Sequence, residues 1–292
     1  MRVLVTGGSG KVGSHAADAL RGRGHDVVLT DIAPPVYGPQ AGRFPYIRAD
    51  LTDFGAAVGT VMKVRPEAVV HAAGIPSAQK DPPSVIFSNN VLAMFHVAEA
   101  IARTGVGRLV YVSSETVPGY VTAEVPDVPD YLPVDEQHPV RPQDAYALSK
   151  SIGESICDAL VRRSDARAVS IRASFVVAEA DYPRVVPVPE ENVTLGRVNL
   201  WSYVDAVDLA ELIALAVEAD SVGHEVVYAA QPDNLVGRPL GELLDAAFGA
   251  NAPTLRTLDR ADSSGLSCAK AASLFGWRPT RSWRDHLPPA ST

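Results

Sequence analysis

The chain has 292 residues, 47% of them hydrophobic, enough for one large core or a main domain with a smaller lobe. A formal net charge of -8, from 34 acidic and 26 basic residues, with no Lys/Arg run, argues against nucleic acid as a partner. Two cysteines, no charged leader and no run of 18 or more apolar residues argue against a disulfide scaffold, export or a membrane span, so a cytoplasmic protein is expected.

In chain order, short β-branched runs at 3–5, 27–30, 68–71, 109–113 and 168–172 alternate with segments of helical period at 11–23, 54–64, 85–104, 145–163 and 204–219. This rhythm predicts an α/β fold, a Rossmann doubly wound parallel sheet with a small C-terminal substrate-binding lobe. Glycines at several helix ends fit C-caps. Pro-rich stretches at 125–142 and 182–189 are expected to be loops, either roofing a site beyond the strand ends or simply solvated. The tail at 267–283 reads as an amphipathic helix followed by packing aromatics.

From the end of the first run into the start of the first helix stand Thr6, Gly7, Gly8, Ser9, Gly10, Lys11, Val12 and Gly13, with glycines at G-x-x-G-x-x-G spacing. A strand-loop-helix junction of this kind lets backbone approach a pyrophosphate and aims free N–H groups at it. Asp31, followed by Ile32, ends the next strand at the offset of about 20 residues where an acid meets ribose hydroxyls. A carboxylate there repels a 2′-phosphate, and no Arg follows it, so NAD is the expected cofactor. The expected division is an NAD-binding domain over 1–172, with 200–230 packing back on it, and a small substrate-binding lobe from 173–199 and 231–292.

Tyr146 and Lys150 stand four residues apart, on one face of a helix. A nearby ammonium lowers a phenol's pKa, so Tyr146 is a candidate general acid or base. Ser114, just past the run at 109–113, offers a hydroxyl at the same sheet edge; a capping serine is the alternative. The seven histidines have no ligand spacing, and no metal is expected.

Together these residues resemble the extended short-chain dehydrogenases/reductases, the NAD-dependent epimerase/dehydratase family. The resemblance runs along the chain through the glycine loop, Asp31, Asp50-Leu51, His71 to Gly74, Asn90, Ser113-Ser114, Tyr146 with Lys150, and Tyr203-Val204-Asp205. It implies that Asp50 and Leu51 flank the adenine and that Ala72, Ala73 and Gly74 line the cofactor. Lys150 would also hold the nicotinamide ribose, and Asn90 would distort its helix to support the site. It also implies a sugar-like substrate near Ser114, Glu115, Arg172 and Ser174, and a homodimer formed by the segments at 85–104 and 145–163.

The chain departs from the family in places. The resemblance leads dehydratases to carry an Asp-Glu pair after the hydroxyl residue, but here Glu115 is followed by Thr116, so water elimination is disfavoured. The groups with which nucleotide-sugar epimerases hold a diphosphate are replaced by Ala173, Ser174 and Phe175 after Arg172, and by Asn199 with Arg197 only nearby. Pro118 stands where the family usually has Tyr. Dehydrogenases on free sugars and sugar acids, such as uronate dehydrogenases, are the closer resemblance, with a UDP-sugar 4-epimerase as the alternative. Arg172 could clamp a substrate carboxylate or serve as a structural ion-pair partner.

Overall fold

The apolar runs build one parallel sheet, described in a computed structural model that covers residues 1–34, 42–186, 193–220 and 223–287. The chain lays down β1 (Arg2–Thr6), α1 (Lys11–Gly22), β2 (Asp26–Asp31), β3 (Tyr46–Arg48), α2 (Phe54–Val64), β4 (Ala68–His71), α3 (Pro83–Thr104) and β5 (Arg108–Ser114). After a short β6 (Tyr131–Leu132) come α4 (Ala145–Arg163), β7 (Arg167–Ala173), β8 (Val176–Val177), α5 (Tyr182–Val185), β9 (Val204–Asp205), α6 (Ala206–Glu218) and β10 (His224–Ala229). The C-terminal part adds α7 (Leu240–Phe248), β11 (Thr254–Leu255) and α8 (Ala269–Phe275).

The sheet order is β3-β2-β1-β4-β5-β7-β10, with every pairing parallel. Strand order reverses between β1 and β4, which opens a crevice beyond their carboxyl ends, the usual place for a ligand in such sheets. Val3, Leu4 and Val5 on β1 and all of β4 are buried, as strands covered on both faces must be. On one face α1 and α6 enclose a core with Leu20, Leu209 and Ile213. On the other, α2, α3 and α4 enclose Val61, Met94, Ile101 and Leu160. A further cluster around Leu132, Trp201, Tyr228, Leu240 and Leu243 joins the C-terminal segments to the end of the sheet.

Several expectations needed adjustment. The sheet has two strands beyond the five expected, β3 and β10. A glycine C-cap with positive φ closes α3 at Gly105, but α2 ends on Arg65, α4 on Ser164 and α6 on Ala219. The expected loop at 182–189 begins as the one-turn helix α5, and 187–189 lie outside the described residues. The tail does form α8, followed by the buried Trp277 and Trp283. By length and composition α3 could cross a membrane, yet 44% of its most apolar window is buried, and it packs between α2 and α4.

Candidate active site

The loop from β1 into α1 is built to bring backbone close to a ligand. Gly7 has φ +67, and a Cβ on it would lie 2.6 Å from the Ala73 nitrogen, so no other residue fits between the β1 and β4 loops. A Cβ on Gly13 would collide with the Gly7 carbonyl. Gly10 sits at the N-cap of α1 with no side-chain cap, leaving the helix N-terminal N–H groups open. A cavity of about 600 Å³ begins here, lined by Gly7, Gly10, Lys11, Val12, Gly13 and Gly74, and reaches Ser114, Tyr146 and Lys150.

A smaller cavity of about 180 Å³ shares Gly7, Gly10, Ala72 and Gly74 and extends to Asp31, Ile32, Asp50, Leu51 and Ala73. The Asp31 carboxylate accepts N–H groups from Ser9 (3.0 Å) and Ile32 (2.7 Å), which fix it at the cavity wall. Asp50 accepts the Thr52 hydroxyl and N–H, and these bonds hold its pKa below the usual value. The sequence shows no Arg after Asp31, but Arg48 on β3 lies opposite it and donates from Nε to the Ile32 carbonyl. The two joined cavities, the glycine cradle and the braced acid fit a dinucleotide, with pyrophosphate at the α1 terminus and ribose hydroxyls at Asp31.

The chemical end of the trough is set by α4. Asp144 caps this helix, its Oδ1 accepting the N–H groups of Tyr146 (2.8 Å) and Ala147 (3.0 Å), with Thr122 donating to its other oxygen. The face that α4 buries carries Tyr146, Lys150, Gly153, Glu154 and Cys157, the i, i+4, i+7, i+8, i+11 spacing of one helix side. Gly153 is required there, because a Cβ would strike the Tyr111 ring on β5. Lys150 donates from Nζ to the Val112 carbonyl at 2.8 Å and lies 5.8 Å from the centre of the Tyr146 ring.

Burial dominates the electrostatics of this pair. It pushes the Tyr146 phenol up to about 12, with the Ser114 hydroxyl pulling down and Glu115 and Asp144 adding to the rise. It also pushes the Lys150 amine down to about 8, opposed by Glu154. The expected lowering of the Tyr146 pKa by Lys150 is therefore outweighed by desolvation. Tyr146 is a protonated donor at neutral pH, and Lys150 sits close to its own titration. Burial and the Lys150 charge hold His71 neutral, with a pKa of about 3, where it pairs with the Thr6 hydroxyl at 2.8 Å.

Three of the expected groups have partners that the spacing does not show. Arg172 is 3% exposed and makes a two-pronged ion pair with Glu154, Nε to Oε1 and Nη2 to Oε2 both at 2.9 Å, with Nη1 on the Tyr228 hydroxyl. It lines neither cavity, and its guanidinium is taken up by this buried pair, the geometry of the structural alternative. Asn90 supports the site from behind: Oδ1 accepts the Ile75 N–H, and Nδ2 donates to the Ile75 carbonyl and to Ser149 Oγ. The smaller cavity is lined by its neighbour Asn89, and α3 is continuous α-helix from Pro83 to Thr104. Lys11 lines the trough, but its ammonium is held by Asp181 at 2.5 Å and by the Val176 carbonyl.

Ser114 and Ser174 line the trough, and Ser114 accepts the Thr116 N–H and hydroxyl. A third cavity, of about 750 Å³, shares Ala78, Gln79, Glu115, Thr122 and Phe175 with the trough. It extends past Val121, Asn199, Trp201 and Leu235. Sequence reasoning missed the contributions of Gln79, Thr122 and Trp201, which come from loops with no motif. Among the described residues, no group of three His, Cys, Asp or Glu side chains could hold a metal ion.

The Arg172 assignment has a stability signature. Arg172→Ala leaves Glu154 buried and unpaired, and denaturant unfolding should show a loss of about 3–5 kcal/mol. An Arg172→Met, Glu154→Met double variant should recover most of it. A stable Arg172→Ala protein with a raised substrate KM would instead mark Arg172 as a substrate group.

Comparison with known proteins agrees with this geometry. Residues 3–229 match the model of the NAD dependent epimerase/dehydratase family. The chain is 30% identical over 236 residues to a uronate dehydrogenase of Pseudomonas syringae pv. tomato, covering 80% of this chain and 76% of that protein. Among solved structures, the NAD complex of a Thermus thermophilus UDP-glucose 4-epimerase superposes with a TM-score of 0.68 at 26% identity, covering 97% of this chain and 95% of that one. A mutated uronate dehydrogenase gives 0.68 at 25% identity, covering 98% and 84%. The glycine cradle, the braced acid and the Tyr146/Lys150 helix thus belong to an enzyme of the NAD dependent epimerase/dehydratase family, with NAD as its cofactor.

Proposed function

We propose that the chain is a dehydrogenase that oxidises a secondary alcohol or hemiacetal of a free sugar-like substrate. The observation that carries this reading is that Ser114 and Tyr146 line the cofactor trough, which shares Glu115 and Thr122 with the third cavity. Bound NAD supplies the acceptor for the hydrogen leaving the alcohol carbon. Ser114 Oγ hydrogen-bonds the substrate oxygen, and Tyr146 takes the hydroxyl proton as C–O becomes C=O. Lys150 supports the tyrosine and holds the ribose, with Gly7, Gly10, Gly13 and Asp31 seating the rest of the cofactor. Thr116 stands where elimination would need a second carboxylate.

A nucleotide-sugar substrate has less support. Arg172 is committed to Glu154, and Arg197 does not line the third cavity but an adjoining one with Tyr120 and Phe248, which shares Val121, Ala123 and Val198 with it. No Lys, Arg or His lines the third cavity among the described residues. We read 1–172, with 200–230, as the cofactor domain, and 173–199 with 231–292 as the substrate-side lobe. A homodimer is supported by α3 and α4, which pack side by side and leave Val85, Leu92, Phe95 and Leu148 exposed.

With added NAD, a screen of free aldoses, uronic acids and UDP-sugars should show NADH accumulating with a free sugar. Isomerised UDP-sugar without NADH would establish the epimerase reading instead. Tyr146→Phe should keep NAD affinity and lose about 100-fold or more of turnover, because only the proton-transfer group is removed. Full activity in that variant would remove Tyr146 from the mechanism. Sedimentation at micromolar concentration should give a dimer, and a monomer would contradict the α3/α4 interface.

A further inference from the structure

Glu115 follows Ser114 and lines both the trough and the third cavity, yet it is only 5% exposed. Its Oε2 is buried and makes no close hydrogen bond, although Ser174, the Phe175 N–H and Asn199 are near enough to act on the carboxyl. Leaving such a group unpaired costs free energy unless a ligand satisfies it. The third cavity otherwise offers apolar side chains such as Val121, Trp201 and Leu235, the amides Gln79 and Asn199, and two more carboxylates, Glu124 and Asp144. Its cationic neighbours Lys11, Lys80 and Lys150 belong to the cofactor trough.

We propose that Glu115 is the specificity-determining residue of this cavity, selecting an uncharged, hydroxyl-bearing substrate over one that carries a carboxylate or phosphate. The inference rests on the dehydrogenase reading above and narrows its substrate class. A substrate hydroxyl can donate to a carboxylate or accept from a carboxyl, so Glu115 can bind it in either protonation state. An anion entering the third cavity sheds its water, finds no Lys, Arg or His among the described residues lining that cavity, and meets a second negative charge once Glu115 ionises.

Burial pushes the Glu115 carboxyl up to about 8, with Ser174, the Phe175 N–H and Asn199 pulling the other way. The titratable groups around it are Tyr120 and Tyr146, which feel its charge, Glu124 and Asp144 along the cavity, and Lys150, Lys80 and Lys11 toward the cofactor. Arg172 lies behind, neutralised by Glu154. Rejection of an anion therefore strengthens as pH rises through about 8.

The test is calorimetric binding of glucose, glucuronate and UDP-glucose to the NADH-loaded protein at pH 6 and pH 9, in the wild type and in Glu115→Gln. Glucose should bind at least about tenfold more tightly than glucuronate at pH 9. The preference should shrink at pH 6 and lose its pH dependence in Glu115→Gln. Glucuronate or UDP-glucose binding as tightly as glucose at pH 9 would overturn the proposal. So would a Glu115→Gln protein whose glucose-to-glucuronate ratio tracks the wild type. The wild-type pH series stands without the variant. NADH formation with added NAD is read in parallel. Intact glucose preference without NADH would remove the dehydrogenase reading alone, and equal NADH formation from glucuronate would remove the selectivity alone.

Discussion

The Asp144 carboxylate caps α4 by accepting the N–H groups of Tyr146 and Ala147, and this single contact sets where the helix begins and which face it turns to the sheet. Everything chemical then follows from helical geometry. Tyr146 falls beside Ser114, Lys150 reaches the Val112 carbonyl, Gly153 lets the helix rest on Tyr111, and Glu154 meets Arg172. A shift of one residue would turn this face by about 100° and lose all four contacts together.

The same burial that orders these groups sets their charge. A phenol and an amine enclosed at a strand end are both driven toward neutrality, the phenol upward and the amine downward. Arg172 keeps its charge through the two-pronged pair with Glu154, and Ser113 adds a hydroxyl to that carboxylate at 2.6 Å. Glu115, just past the strand end and with Oε2 making no close hydrogen bond, is left to be satisfied by a proton or by a ligand. The sheet edge thus holds a closed ion pair below and an open carboxyl above, and the open one lines the third cavity.

Much of this was legible in the sequence because it is local. The glycine spacing, Asp31 and the Tyr146/Lys150 pair each depend on a strand end or a helix turn, and each stands where local periodicity puts it. What was hidden depends on distant partners. The partners of Arg172 and Lys11 are Glu154, 18 residues away, and Asp181, 170 residues away. Asn90 works through Ile75 and Ser149, which only tertiary packing brings together. The phenol pKa was misjudged because the neighbouring ammonium is visible in the spacing, whereas desolvation is not. β3 was missed because three half-exposed residues carry almost no period.

The family match and the superposed structures agree with the cofactor half of the molecule, while the third cavity carries the substrate half of the account. The central claim is that a buried, protonated Tyr146 must give up its proton before it can accept one from the substrate, with Lys150 supporting the anion. The pH dependence of kcat for sugar oxidation tests this most directly. It should rise with pH from about 6, because the phenolate fraction grows below the tyrosine pKa, and level off near pH 8 as Lys150 loses its charge. A profile that is flat, or that falls with pH over this range, would contradict the account.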